Sequence, residues 1–172
     1  PDRSADFAAV TGGRVVGFKS GYRLAAEKGK VALAIQKLEI PILHKLTLST
    51  TIARAPEYRR PHVFENAFVV FGDSTEDTSL IKCGMKFIVD TAVIVSGPST
   101  GTPVESRKLQ LDPDKPTAIL ITADRQSRQV VVTIGKHSVE ATLEQMPAQI
   151  THVGYGTYNA VSDFAPIVVT GE

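Results

Sequence analysis

Tryptophan is absent from the 172 residues, and aromatic surface comes from only four Tyr and seven Phe. That scarcity counts against a recognition surface built from stacked rings. One cysteine, Cys83, excludes an intrachain disulfide and a cysteine-cluster zinc site. Charge of either sign is scarce in excess: 19 basic and 18 acidic residues leave a net of +1. Phosphate binding carries a basic excess, so the balance speaks against a nucleic-acid partner. No apolar run approaches the ~18 residues of a helical membrane span, and no basic-then-apolar leader opens the chain. It begins at Pro1 without Met, which reads as a processed product or a piece of a larger protein with further domains. Helical patterning is missing too. Residues 24–38 come closest, but Gly29 interrupts them and 31–37 alternate in the manner of a strand.

What the chain has in abundance is β-formers: 19 Val, 12 Ile and 16 Thr. Branching at Cβ suits a pleated sheet and costs rotamer freedom in a helix. Thirteen short segments fit strands: 14–18, 22–26, 31–38, 45–53, 67–71, 79–83, 91–95, 107–111, 117–122, 129–134, 138–143, 151–155 and 164–170. In 45–53, Leu46, Leu48, Thr50 and Ile52 share one face. Segments 67–71 and 129–134 are more continuously apolar, as strands covered on both faces are. Residues 117–143 read as two successive hairpins, turning at 123–128 and at Gly135-Lys-His137. Prolines 56, 61, 98, 103, 113, 116 and 147 fall between strands, where a missing N–H is harmless. Many short strands with frequent turns predict an all-β, two-sheet antiparallel sandwich over residues 1–172, without a dividing linker.

The run Ala118-Ile-Leu-Ile-Thr-Ala-Asp124, then Val130-Val-Val-Thr-Ile134, Gly135 and Val139-Glu-Ala141, resembles the meander of concanavalin A-like jelly rolls, among them laminin-G-like and 3-keto-disaccharide hydrolase-like domains. The closing runs Ile150-Thr-His-Val-Gly-Tyr-Gly156 and Ser162-Asp-Phe-Ala-Pro-Ile-Val-Val-Thr-Gly171 are similar to the last two strands of that superfamily. Ala67-Phe-Val-Val-Phe71 and Ser79-Leu-Ile-Lys-Cys-Gly84 stand where its central strands are expected. The likeness spans residues 21–171. It implies an accessory domain that binds carbohydrate or another extracellular partner, in a secreted, periplasmic or extracellular setting. The same fold carries glycoside hydrolases, polysaccharide lyases and interaction modules without a small ligand, and these stay open as alternatives.

Residue types narrow the chemistry further. Sandwich glucanases carry their carboxyl pair on one strand as Glu-x-Asp-x-x-Glu or Glu-x-Asp-x-Glu, and that spacing is missing; Glu140 and Glu144 form the nearest same-face pair. Sandwich lyases use His and Tyr with Gln and Arg. Gln149, His152, Tyr155 and Tyr158 gather those types, without the lyase Lys or its Arg-rich strand. His152, Tyr155 and Glu140 are thus the candidate catalytic residues. Candidate ligand-binding residues are the amphipathic rings Tyr22, Tyr58, Tyr155 and Tyr158, together with Arg59, Arg60 and His62, which suit an anionic sugar. Asp73, Glu76 and Asp77 place three carboxylates in one loop, the donor type that Ca²⁺ takes, so Ca²⁺ is the one candidate cofactor. Cys83 sits in an apolar strand and is read as a core residue.

Overall fold

A computed structural model describes residues 1–58 and 64–172. Its strands are β1 (Ala9–Thr11), β2 (Gly13–Phe18), β3 (Gly21–Ala26), β4 (Val31–Ile42), β5 (Lys45–Arg54), β6 (Asn66–Gly72), β7 (Ile81–Lys86) and β8 (Thr91–Ser96). There follow β9 (Glu105–Lys108), β10 (Thr117–Asp124), β11 (Gln129–Ile134), β12 (His137–Thr142), β13 (Ile150–Tyr158), β14 (Val161–Phe164) and β15 (Val168–Gly171). Helix is confined to 3₁₀ turns such as Pro56–Tyr58 and Asp77–Ser79 among the described residues. One sheet runs β1-β4-β13-β6-β7-β8-β9. The other runs β12-β11-β10-β5-β14-β3-β2, with β15 beside β5. Every pairing between them is antiparallel.

The main core lies between the sheets, where Leu46, Leu48 and Ile52 meet Val69, Phe71, Ile81, Cys83 and Ile94. Burial pushes the Cys83 thiol well above its ordinary pKa, so it stays protonated in that core. The outer face of the seven-stranded sheet is filled by a second apolar cluster of Leu33, Ile35, Phe68, Val70, Leu80, Val93 and Val95. Glycine makes this filling fit. Gly154 stands level with Ile35 and Val70, and Gly84 level with Phe68 and Val93. A Cβ on Gly154 would lie 2.2 Å from the Ala34 carbonyl oxygen, and one on Gly84 2.0 Å from that of Ala67.

The double hairpin forms as expected, with a tighter second turn: Ile134 pairs directly with His137, leaving only Gly135 and Lys136 between them. The Asp124 carboxylate accepts from the N–H groups of Gln126 and Ser127 and shapes the first turn. Some boundaries differ. Strand 79–83 begins later, at Ile81, because Asp77–Ser79 winds into a 3₁₀ turn. The expected strand 107–111 is instead Glu105–Lys108, exposed throughout, since Leu109 turns inward and is buried. Segment 164–170 splits into β14 and β15 around Pro166, which has no N–H to give to β5. Segment 129–134 alternates buried and half-buried positions, so β11 is covered on one face only. By contrast β6, at the middle of its sheet, is buried at every residue.

Candidate functional site

Strand register sets charged side chains in a row on the outer face of the eight-stranded sheet. Val16 pairs with Arg23, Arg23 with Asp163, and Asp163 with Ala53. The Arg23 guanidinium grips Asp163 through two bonds: Nε donates to Oδ1 at 2.6 Å and Nη2 to Oδ2 at 2.8 Å. Its Nη1 donates to Glu57 Oε1 at 2.6 Å, across from the 3₁₀ turn. The Arg23 and Asp163 side chains are 13% and 16% exposed, whereas Glu57 is 52% exposed. The Arg23 head lies 3.8 Å above the Phe18 ring and 5.4 Å from the Tyr58 centroid, in cation–π contact. Hydrogen bonding to Asp163 is the largest cause that holds Arg23 above even its ordinary high pKa. A backbone hydrogen bond, then Arg23, hold the Glu57 carboxyl below its ordinary value.

Two adjoining hollows flank this row. One, of about 510 Å³, has a floor of Gly13, Val16, Ala25 and Val161 and a wall at Tyr58. The other, of about 310 Å³, lies between Phe18, Gly21 and Pro56 and reaches Arg54 and Asp114, which are joined by a 2.6 Å bond. Both fall within the range of small-molecule sites, about 300–1,000 Å³.

The structure distributes the residues singled out from sequence. Tyr58 lines the larger hollow and is 49% exposed. Arg59, Arg60 and His62 lie outside the described residues. Tyr22 points to the inner side of β3, 5.0 Å from Phe7 and 5.7 Å from Tyr155 between ring centres, and its hydroxyl donates to Asp6. Tyr155 is 1% exposed; its hydroxyl donates to the Ala165 carbonyl and accepts from the Ile167 N–H, both at 2.9 Å. His152 lies on the opposite face of β13, since an odd separation along a strand reverses the side. It pairs with Lys37 and Gly72 and contacts the Thr151 hydroxyl. His152 and Tyr155 are therefore not brought together. Tyr158 is half-buried beside Val31 and Asn66. Glu140 is exposed on β12 and accepts from Gln129. Asp77 turns to Lys82 and Ser99, and no group of three carboxylate, His or Cys ligands converges among the described residues. Local spacing could not have found Arg23, Glu57 and Asp163. The one available signal was a charged residue inside each of two apolar strands.

Removing the Tyr155 hydroxyl tests its structural role. Tyr155→Phe leaves the Ile167 N–H and the Ala165 carbonyl without this partner, so stability should fall by about 1–3 kcal/mol. Urea unfolding checks it, with an unchanged midpoint as the contrary result.

No family profile matches the sequence, and no curated protein matches it by sequence. Solved structures do match by shape. A carbohydrate-binding module, CBM66 from Bacillus subtilis, superposes with a TM-score of 0.77 at 10% identity over 99% of this chain and 100% of its own. The fold is a concanavalin A-like two-sheet sandwich. The Emp47p carbohydrate recognition domain gives a TM-score of 0.69 at 9% identity, covering 93% of this chain and 86% of that one. Arcelin-5, a lectin-like defence protein from Phaseolus vulgaris, gives 0.64 at 10% identity, covering 91% and 89%. At such identities the concanavalin A-like sandwich is what the chains share, and the chemistry must come from this chain's own residues.

Proposed function

We propose that the chain is a non-catalytic carbohydrate-binding domain, acting outside the cell as an accessory part of a polysaccharide-processing system. The observation that carries this is Arg23, held by Asp163 and Glu57 between the Phe18 and Tyr58 rings over an open groove. A sugar hydroxyl both donates and accepts, and this row offers both partners. Arg23 has five N–H donors, and the bonds to Asp163 and Glu57 use three, so among the described residues two remain for sugar oxygens. The carboxylates keep lone pairs for sugar hydroxyls, and the exposed Tyr58 ring offers a surface to sugar C–H groups.

The same arrangement favours binding over cleavage. A glycosidase needs one carboxyl with a raised pKa to protonate the leaving oxygen. Here both carboxylates are tied to one guanidinium, and Glu57 is shifted downward. Binding should therefore be flat from alkaline pH to about pH 5 and weaken only as Glu57 protonates, below the ordinary range near 4.3.

Affinity electrophoresis against a polysaccharide panel tests the reading. Tyr58→Ala should weaken retention by roughly three- to tenfold, one aromatic contact being worth about 0.5–1.5 kcal/mol. The exposed position predicts an unchanged melting temperature. Equal retention of the variant and the parent would remove Tyr58 from the site, and no retention of the parent would remove the reading.

A further inference from the structure

Resting on that reading, we infer that the groove takes an uncharged glycan along the interior of its chain, one stretch in each hollow, with the Arg23–Asp163 pair gripping between them. The first support is placement. Arg23 borders both hollows. In register, the row Val16, Arg23, Asp163 and Ala53 crosses four strands, β2, β3, β14 and β5. Ala25 and Val161 pair on one side of it, and Gly21 with Thr51 line the hollow on the other. The two spaces therefore follow one another along the strands, across a floor of small side chains. A ligand held by the central guanidinium extends into both, which a single terminal sugar would not fill.

The second support is charge. Among the described residues, four cationic side chains, Arg14 and Lys19 included, line the two hollows together with four carboxylates. Arg23 already has two acidic partners, and Arg54 has Asp114 at 2.6 Å. A uronate or sialate entering beside Asp163 and Glu57 meets like charge and a guanidinium whose charge is already matched. Neutral hydroxyls bring no such conflict and use the N–H groups left over.

The test uses the whole chain. Its retention is measured on mixed-linkage glucan, xyloglucan, galactomannan, arabinan and fructan, and on polygalacturonate before and after reduction of its carboxyl groups to primary alcohols. Oligosaccharides of one to six units from the retained polymer are then titrated calorimetrically. The expected result is retention on at least one neutral polymer, with none on native polygalacturonate. Affinity should rise about tenfold or more from one unit to four, then level off. Ala25→Leu, which narrows the larger hollow, should shrink the gain in affinity between one unit and four; an undiminished gain removes the larger hollow from the glycan's path. A single sugar binding as tightly as four, or retention on polygalacturonate without retention on neutral polymers, overturns the inference while leaving carbohydrate binding intact. Failure to bind any polymer overturns carbohydrate binding itself, and this inference with it.

Discussion

Arg23→Met is expected to abolish measurable glycan retention. The methionine keeps an unbranched stem in the space of the arginine stem while losing every donor. Each hydrogen bond to a charged group contributes about 1.5–3 kcal/mol, so losing two such contacts lowers affinity by roughly 100-fold or more. That exceeds the several-fold effect of Tyr58→Ala, because Arg23 also fixes both carboxylates that face the ligand. The variant leaves Asp163, which is 16% exposed, without its partner, so the melting temperature should fall by a few degrees. The double variant Arg23→Met/Asp163→Leu separates the two effects. It should recover most of the stability, since an apolar pair can replace a partly buried ion pair, and it should recover none of the binding. Affinity electrophoresis reads the first quantity and differential scanning calorimetry the second. Retention by the double variant at parental strength would show that the Arg23 row is scaffold and that the ligand sits elsewhere.

How the site came to be hidden in the sequence follows from its construction. Arg23 and Asp163 are brought level by the pairing of β3 with β14, and Glu57 arrives on a separate turn. No motif of fixed spacing records such a meeting, because register is set by the whole sheet and not by neighbouring residues. The strands were legible for the opposite reason. Alternation in Lys45–Arg54 and the β-branched runs are local signals, and burial on one face enforces them. The sequence pattern places edge strand β9 two to three residues late, at 107–111, since a strand exposed throughout carries no apolar period to fix its bounds. Tyr155 shows how composition can mislead. Counted as an amphipathic ring it suits a sugar; placed by alternation with Val153 and Thr157 on β13 it belongs to the buried face, and its hydroxyl ties down the stretch around Pro166. The proline explains that stretch: a chain that loses a ladder bond to β5 needs another anchor, and the tyrosine supplies it.

Asp77→Ala is expected to destabilise the fold strongly, and calcium is expected to have no part in the effect. Lys82 is fully buried on the outer face of the seven-stranded sheet, where it pairs in register with Val70 and Val95. Its ammonium donates to the carbonyls of Asp77, Leu80 and Gly97, and the Asp77 carboxylate stands 3.2 Å away. That carboxylate also accepts from the Ser99 N–H at 2.9 Å and from the Ser99 hydroxyl. Two segments, 77–80 and 97–99, are thus clipped together over the second apolar cluster. Breaking one partner of a buried pair costs about 3–5 kcal/mol. Asp77 is 26% exposed, and solvent screening reduces the figure to about 2–3 kcal/mol. For a chain of this length that corresponds to a fall of roughly 4–12 °C in melting temperature. Lys82→Met/Asp77→Asn should restore most of it, because the apolar stem replaces the ammonium and the amide oxygen still accepts from Ser99. Millimolar Ca²⁺ should leave the parent's melting temperature unchanged, since an ion that binds only the folded state would raise it by mass action. A rise with Ca²⁺ that disappears in Asp77→Ala would assign Asp73, Glu76 and Asp77 to an ion site and displace the clip as the reason for this loop's acidity.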